Sequence, residues 1–128
     1  MRLLLDTCTF LWLAGGSDQL SSRAREVFAD PVNEVFLSAA SAWEIAVKHR
    51  LGRLPLPEAP EAFVPAQREA HGIEPLPVDE ESVLHVAKLP DLHRDPFDRI
   101  LIAQALVGGF TLLTPDDVMR RYSARTLW

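Results

Sequence analysis

Leu3-Leu4-Leu5-Asp6-Thr7, at the start of the chain, decides the fold class. Three consecutive leucines show no alternation, so the segment suits a strand buried on both faces, the usual state of a strand inside a parallel sheet. The run stops at a carboxylate and a hydroxyl, which therefore stand at the strand's carboxyl end. Phe110-Thr111-Leu112-Leu113 repeats this layout late in the chain and delivers Thr114-Pro115-Asp116-Asp117 to the same position. Between them, Glu34-Val35-Phe36-Leu37 reads as a strand, and Ile73 to Val78 as another, interrupted by prolines and so placed at an edge. Helical stretches separate these strands. The alternation predicts an α/β sandwich around a mostly parallel sheet, with residues 1–128 as one domain. Ligands of such folds gather beyond the carboxyl ends of the strands, which puts Asp6 and Asp116 on one edge.

The helices follow from stop and start signals. Phe10 to Ala14 is a short apolar helix broken at Gly15-Gly16, and Ser21 or Ser22 opens a second through about Ala29. Ser38 or Ser41 caps a third that runs to about Leu51. On it Ala40, Trp43, Val47 and Leu51 share a face with Glu44, while Ala39, Ala42, Ile45 and Ala46 cover much of the rest, so Glu44 is expected inside. An unpaired buried carboxylate costs on the order of several kcal/mol. Glu44 therefore needs a partner, and the segment offers Lys48 four residues on or a bound metal without choosing between them. A proline-rich connection from Leu54 to Pro60, a helix from Glu61 to Ala70 and a helix capped by Asp79 and reaching Leu89 lead to the second informative stretch. A brief helix from Met119 to Tyr122 and a strand near Arg125 to Trp128 close the chain.

That second stretch is His93-Arg94-Asp95-Pro96-Phe97-Asp98-Arg99, followed by Ile100 to Ala105. Pro96 suits the first turn of a helix, leaving Asp95 as its N-cap, and the apolar run beyond is expected to be buried. Asp98 complements the helix dipole if it stands alone. If the helix begins near the same sheet edge, it joins Asp6, Glu44 and Asp116 in one cleft. Acids crowded in this way repel. A divalent cation resolves the conflict, and Mg²⁺ or Mn²⁺ suits an all-oxygen site.

Composition narrows the partners. With a net charge of -5 and 24% charged residues, the chain has no global positive field for nucleic acid or anionic membranes. Nucleic-acid contact must then be local, and the cations are nearly all arginine, whose fork suits phosphate oxygens; only Lys48 and Lys88 are lysines. Arg94, Arg99, Arg120, Arg121 and Arg125 are candidates for phosphate contact, with plain solvated charge as the alternative. One cysteine, Cys8, forms no internal disulfide framework, and no apolar run reaches the length of a membrane span, so a cytoplasmic protein without a membrane partner is expected. Cys8 as a nucleophile served by His93 is a competing chemistry, although an apolar helical thiol is more commonly a packing residue.

Taken together, Leu4-Leu5-Asp6-Thr7 with Leu11-Trp12, the run Ser38 to Lys48 containing Trp43-Glu44-Ile45, Asp95-Pro96-Phe97-Asp98-Arg99 leading into Ile102-Ala103-Gln104-Ala105, and Leu113-Thr114-Pro115-Asp116 resemble the PIN-domain ribonucleases. The similarity extends over essentially the whole chain and is greatest to the VapC-type toxins of bacterial toxin–antitoxin pairs. It implies a three-layer α/β/α sandwich, a divalent-metal-dependent endoribonuclease, a homodimer, and neutralisation by a small antitoxin protein. The family's acids fall on Asp6, Glu44, Asp98 or Asp95, and Asp116, as metal ligands or catalytic groups. Thr7 and Thr114, each beside an acid, would orient those carboxylates. Cys8 stands where many relatives have histidine. An RNA-processing nuclease without a toxin role, and a catalytically silent module that keeps the fold, are the alternatives.

Overall fold

A computed structural model describes residues 1–128. In chain order the elements are β1 (Arg2–Leu5), α1 (Thr7–Gly15), α2 (Ser22–Ala29), β2 (Glu34–Ser38), α3 (Ala39–Arg50), α4 (Pro60–Ala70), β3 (Ile73–Leu76), α5 (Glu80–His85), α6 (Pro96–Gly108), β4 (Thr111–Leu113) and β5 (Thr126–Leu127). The strands form one five-stranded sheet in the order β3-β2-β1-β4-β5. Every neighbouring pair is parallel, so the sheet is wholly rather than mostly parallel. β1 is central, and β3 lies at an edge as its prolines require.

Side chains alternate across β1 and supply two cores. Leu3 and Leu5 join Phe10, Ala24, Val27, Ile45, Phe63 and Val64, which come from α1 to α4. Leu4 points the other way, into Leu101, Ile102, Ala105, Met119 and Tyr122 on and around α6. Helices thus cover both faces of the sheet, giving the α/β/α layering. Each fully buried leucine contributes about 1.5–3 kcal/mol through removal of its surface from water.

Caps set where the helices begin and end. α1 starts at Thr7, earlier than Phe10, because Asp6 is its N-cap and the Asp6 carboxylate accepts the Thr9 N–H at 2.9 Å. Ser21 caps α2, Ser38 caps α3, and Asp95 caps α6 by accepting the Phe97 N–H at 2.8 Å. Gly109, at φ 71°, ends α6 in a left-handed conformation that favours glycine. The helix after Asp79 stops at His85 and passes into a 3-10 turn over Val86–Lys88. Leu89 is then extended, at ψ 144°, as a residue before proline prefers. A second 3-10 turn, Met119–Arg121, stands in place of the brief helix expected there. No helix is long and apolar enough to cross a membrane.

One expectation about α3 needs correction. Glu44 and Ala40 are buried, but Trp43 is 65% exposed and Leu51 59% exposed. Glu44 is turned toward Thr7 at the start of α1, and Trp43 lies over the start of α6 with its ring 5.0 Å from that of Phe97.

Candidate functional site

Strand ends and helix starts converge at one edge of the sheet. Asp6 comes from the end of β1, Glu44 from α3, Asp95 and Asp98 from the start of α6, and Asp116 from the loop after β4. These acids line one cleft of about 290 Å³ together with Thr7, Cys8, Lys48 and Pro115. Larger hollows elsewhere, about 490 and 400 Å³, are lined mainly by apolar residues and lack this chemistry.

Each carboxylate is held in its own way. Asp6 is buried; Oδ1 caps α1, and Oδ2 accepts the Thr114 hydroxyl at 2.5 Å. Thr114 is thus a positioning group, but for the acid on the neighbouring strand, while its oxygen accepts the Asp116 N–H at 3.0 Å. Thr7 likewise donates across to Glu44 Oε1 at 2.6 Å rather than to Asp6. Lys48 Nζ lies 2.5 Å from Glu44 Oε2, so both Glu44 oxygens are engaged, and burial leaves this carboxylate only 3% exposed. The Lys48 ammonium is held protonated above its ordinary range by that hydrogen bond to Glu44. The helix salt bridge and the place in the acid cleft are therefore both realised. Asp116 Oδ1 accepts the N–H groups of Val118 and Met119 at 2.8 and 2.9 Å, leaving Oδ2 toward the cleft side occupied by His93.

The cleft stores charge repulsion. Burial, and then the nearby carboxylates of Asp95, Glu44, Asp6 and Asp116, push the Asp98 carboxyl up to about 8. Burial also raises Asp6 above the usual carboxylate range, against the opposing pull of the Thr114 hydrogen bond. Acids held this way gain from a cation. His93 Nε2 and carboxylate oxygens of Asp98 and Asp116 lie within 4.8 Å of one another, a spacing that suits a metal ion. The donor set of carboxylates with an open, water-accessible mouth fits a hard divalent cation.

The PIN domain family model matches residues 3–125. The chain belongs to the PIN domain family. A 64-residue stretch of this PIN chain is 44% identical to Ribonuclease VapC16 of Mycobacterium tuberculosis, covering 50% of this chain and 45% of that protein, so the match spans less than half of the relative's length. Among solved structures, the complex of VapBC2 from Rickettsia felis with a DNA fragment from its promoter contains a chain with the same fold, at 12% identity and TM-score 0.73, covering 99% of this chain and 98% of that one. DNA-bound VapBC from Salmonella typhimurium aligns at 16% identity and TM-score 0.69, covering 99% and 97%. FitAcB from Neisseria gonorrhoeae aligns at 21% identity and TM-score 0.62, covering 98% and 96%.

Two sequence expectations for the PIN site change. Arg99 is not available to phosphate: its half-buried guanidinium donates to the carbonyls of Pro90, His93, Val86 and Leu89 and to the Tyr122 hydroxyl. Both terminal nitrogens of the guanidinium are engaged in holding the loop before α6. Arg94, Arg120, Arg121 and Arg125 are exposed. The Cys8–His93 pairing also fails. His93 faces Asp98 and Asp116, whereas the Cys8 thiol points at Asp6, 3.4 Å from Oδ1, and burial followed by the Asp6 charge pushes its pKa up, opposite to nucleophile activation. From sequence, His93 has a role only as a partner for Cys8, and its place against Asp98 and Asp116 is missed. A histidine close before two acids was the available signal.

Proposed function

We propose that this PIN protein is a divalent-metal-dependent endoribonuclease that acts as the toxin of a toxin–antitoxin pair. The observation that carries the reading is the set of carboxylates drawn from β1, α3, α6 and the β4 loop into one cleft. The 44% identity to a stretch of Ribonuclease VapC16 supports the ribonuclease activity. Asp6, Asp98 and Asp116 are the proposed ligands of Mg²⁺ or Mn²⁺, with Asp95 mainly the α6 cap and a contributor to the negative field. The ion would supply a water of lowered pKa and offset charge on the leaving oxygen of an RNA phosphodiester. Around it, Thr114 fixes Asp6, and the main-chain N–H groups of Val118 and Met119 fix Asp116. Glu44, already balanced by Lys48, is assigned the acceptance of a proton from the attacking water rather than direct ligation. Lys48, at the rim with 47% of its side chain exposed, takes the place of Arg99 as the cation available to phosphate.

Incubation of the purified protein with RNA in Mg²⁺ or Mn²⁺ tests this. Cleavage is expected, with loss of at least a hundredfold in Asp6→Asn, Asp98→Asn and Asp116→Asn at retained fold. A protein that cuts no RNA and binds neither ion by calorimetry is instead a silent PIN-fold module. Neutralisation by a small antitoxin, supported by the VapBC complexes among the structural relatives, separates a toxin from an RNA-processing nuclease. Co-expression with the product of the adjacent gene should restore growth and block cleavage; continued cleavage would favour the processing enzyme. We also assign a cytoplasmic location, in keeping with a single unpaired cysteine. A homodimer completes the reading, with the apolar face around Trp43, Val83 and Leu84 as its contact surface.

A further inference from the structure

His93 offers two nitrogens to its surroundings, and the surroundings differ. Nε2 lies 3.0 Å from Asp98 Oδ2 and 3.4 Å from Asp116 Oδ2. Nδ1 faces the backbone N–H of Asp95 at 3.2 Å and accepts from it. A ring nitrogen that accepts an N–H has a free lone pair there and no proton, so the proton of the ring sits on Nε2. Turning the ring over would strip the Asp95 N–H of its partner and break both carboxylate contacts. The ring is also held from behind. The Tyr122 hydroxyl accepts the His93 N–H at 2.8 Å and the Leu92 N–H at 3.2 Å, while donating to the Pro90 carbonyl at 2.9 Å. Arg99 ties the Tyr122 oxygen to the His93 carbonyl.

We infer that His93 is a positioning residue: the Asp95 backbone N–H selects its Nε2–H tautomer, which donates to Asp116 and lies against Asp98, setting the separation of the two carboxylates. The spacing of His93, Asp98 and Asp116 resembles a ligand triad, yet the nitrogen aimed into the cleft carries a hydrogen and has no lone pair to give. The metal proposed above is then held by oxygen alone. This consequence rests on the proposed metal site, whereas the tautomer does not. An oxygen-only set favours Mg²⁺ and Mn²⁺; a histidine nitrogen in the set would strengthen Ni²⁺ and Zn²⁺ disproportionately.

The decisive measurement is a long-range ¹H–¹⁵N correlation spectrum of the full-length ¹⁵N-labelled protein near neutral pH, metal-free and saturated with Mg²⁺, with His93 assigned by its absence in His93→Gln. The expected pattern is one pyrrole-type nitrogen at Nε2 and one pyridine-type nitrogen at Nδ1, kept when Mg²⁺ is added. An Nδ1–H tautomer, a doubly protonated ring, or loss of the Nε2 proton on adding Mg²⁺ would overturn the inference. Calorimetry adds the functional arm. His93→Ala should weaken Mg²⁺ and Ni²⁺ by similar factors, roughly tenfold, and His93→Gln, which keeps an N–H donor, should recover most of that. A variant that loses Ni²⁺ binding far more than Mg²⁺ binding identifies a nitrogen ligand and refutes the donor role. Should the wild-type protein bind no ion, the metal reading of the site fails, and the metal-free spectrum alone decides the role of His93.

Discussion

Asp98 is the residue whose chemistry is most altered by its neighbours, and its proton gives a sign that can be checked. The folded protein holds that proton up to about pH 8, whereas an unfolded chain releases it near 3.8. Between these values the native state binds more protons than the unfolded state, so metal-free stability contributed by this group falls as pH rises. The melting temperature of the metal-free protein, followed by circular dichroism, should drop across that window, and Asp98→Asn should flatten the drop. Parallel curves for the two proteins would contradict the assignment. Ion binding must displace the same proton, so Mg²⁺ affinity should climb with pH up to about 8. Asp95→Asn, which keeps a capping oxygen for the Phe97 N–H, is expected to retain most cleavage while Asp98→Asn loses it; the reverse result would exchange their roles. These acids were legible in the sequence because strand ends and helix starts announce themselves locally. The role of His93 was not, since its orientation depends on Tyr122 and Arg99, which lie beyond it in the chain and whose side chains only the tertiary structure brings to its loop.

At the scale of elements, α6 and the loop ahead of it act as a mount. Arg99 leaves the first turn of α6 to hold the carbonyls of residues 86, 89, 90 and 93, and Tyr122 closes the loop from the other side. Arg99→Ala removes a largely buried cation from its carbonyl partners and is expected to cost about 2–4 kcal/mol in urea unfolding. Tyr122→Phe, which loses only the hydroxyl, should cost about 1–2 kcal/mol. If the mount works as described, Tyr122→Phe also lowers Mg²⁺ affinity although Tyr122 is outside the cleft lining; unchanged affinity would detach the loop from the site. Gly109→Ala at the other end of α6 should cost about 1 kcal/mol from its left-handed backbone alone, because its side chain would meet nothing within 4 Å. Helix boundaries were readable to within a few residues from Ser21, Ser38, Asp79, Asp95 and Gly109. The face of α3 was not, because helical spacing groups Trp43 with Glu44 while the packing of α1 and α6 against α3 pulls them apart.

For the molecule as a whole, the net charge of -5 and an acid-lined cleft set an electrostatic barrier to a polyanion. Cleavage of RNA is therefore expected to speed up with divalent ion concentration beyond simple site filling, through screening of approach. Self-association is testable on the exposed apolar face: Trp43→Glu should convert a dimer to a monomer in sedimentation equilibrium, and an unchanged mass would remove that face from the interface. The layered fold was readable from apolar runs that end in acids. The order of strands was not, because pairing partners far apart in sequence leave no local mark. That order has a temporal meaning. β1 is made long before its β4 neighbour, and the Thr114 hydroxyl reaches Asp6 across a separation of 108 residues. A chain stopped before β4 lacks both Asp116 and the Thr114 hydroxyl that holds Asp6, so the acid cleft exists only once β4 and the loop after it are in place.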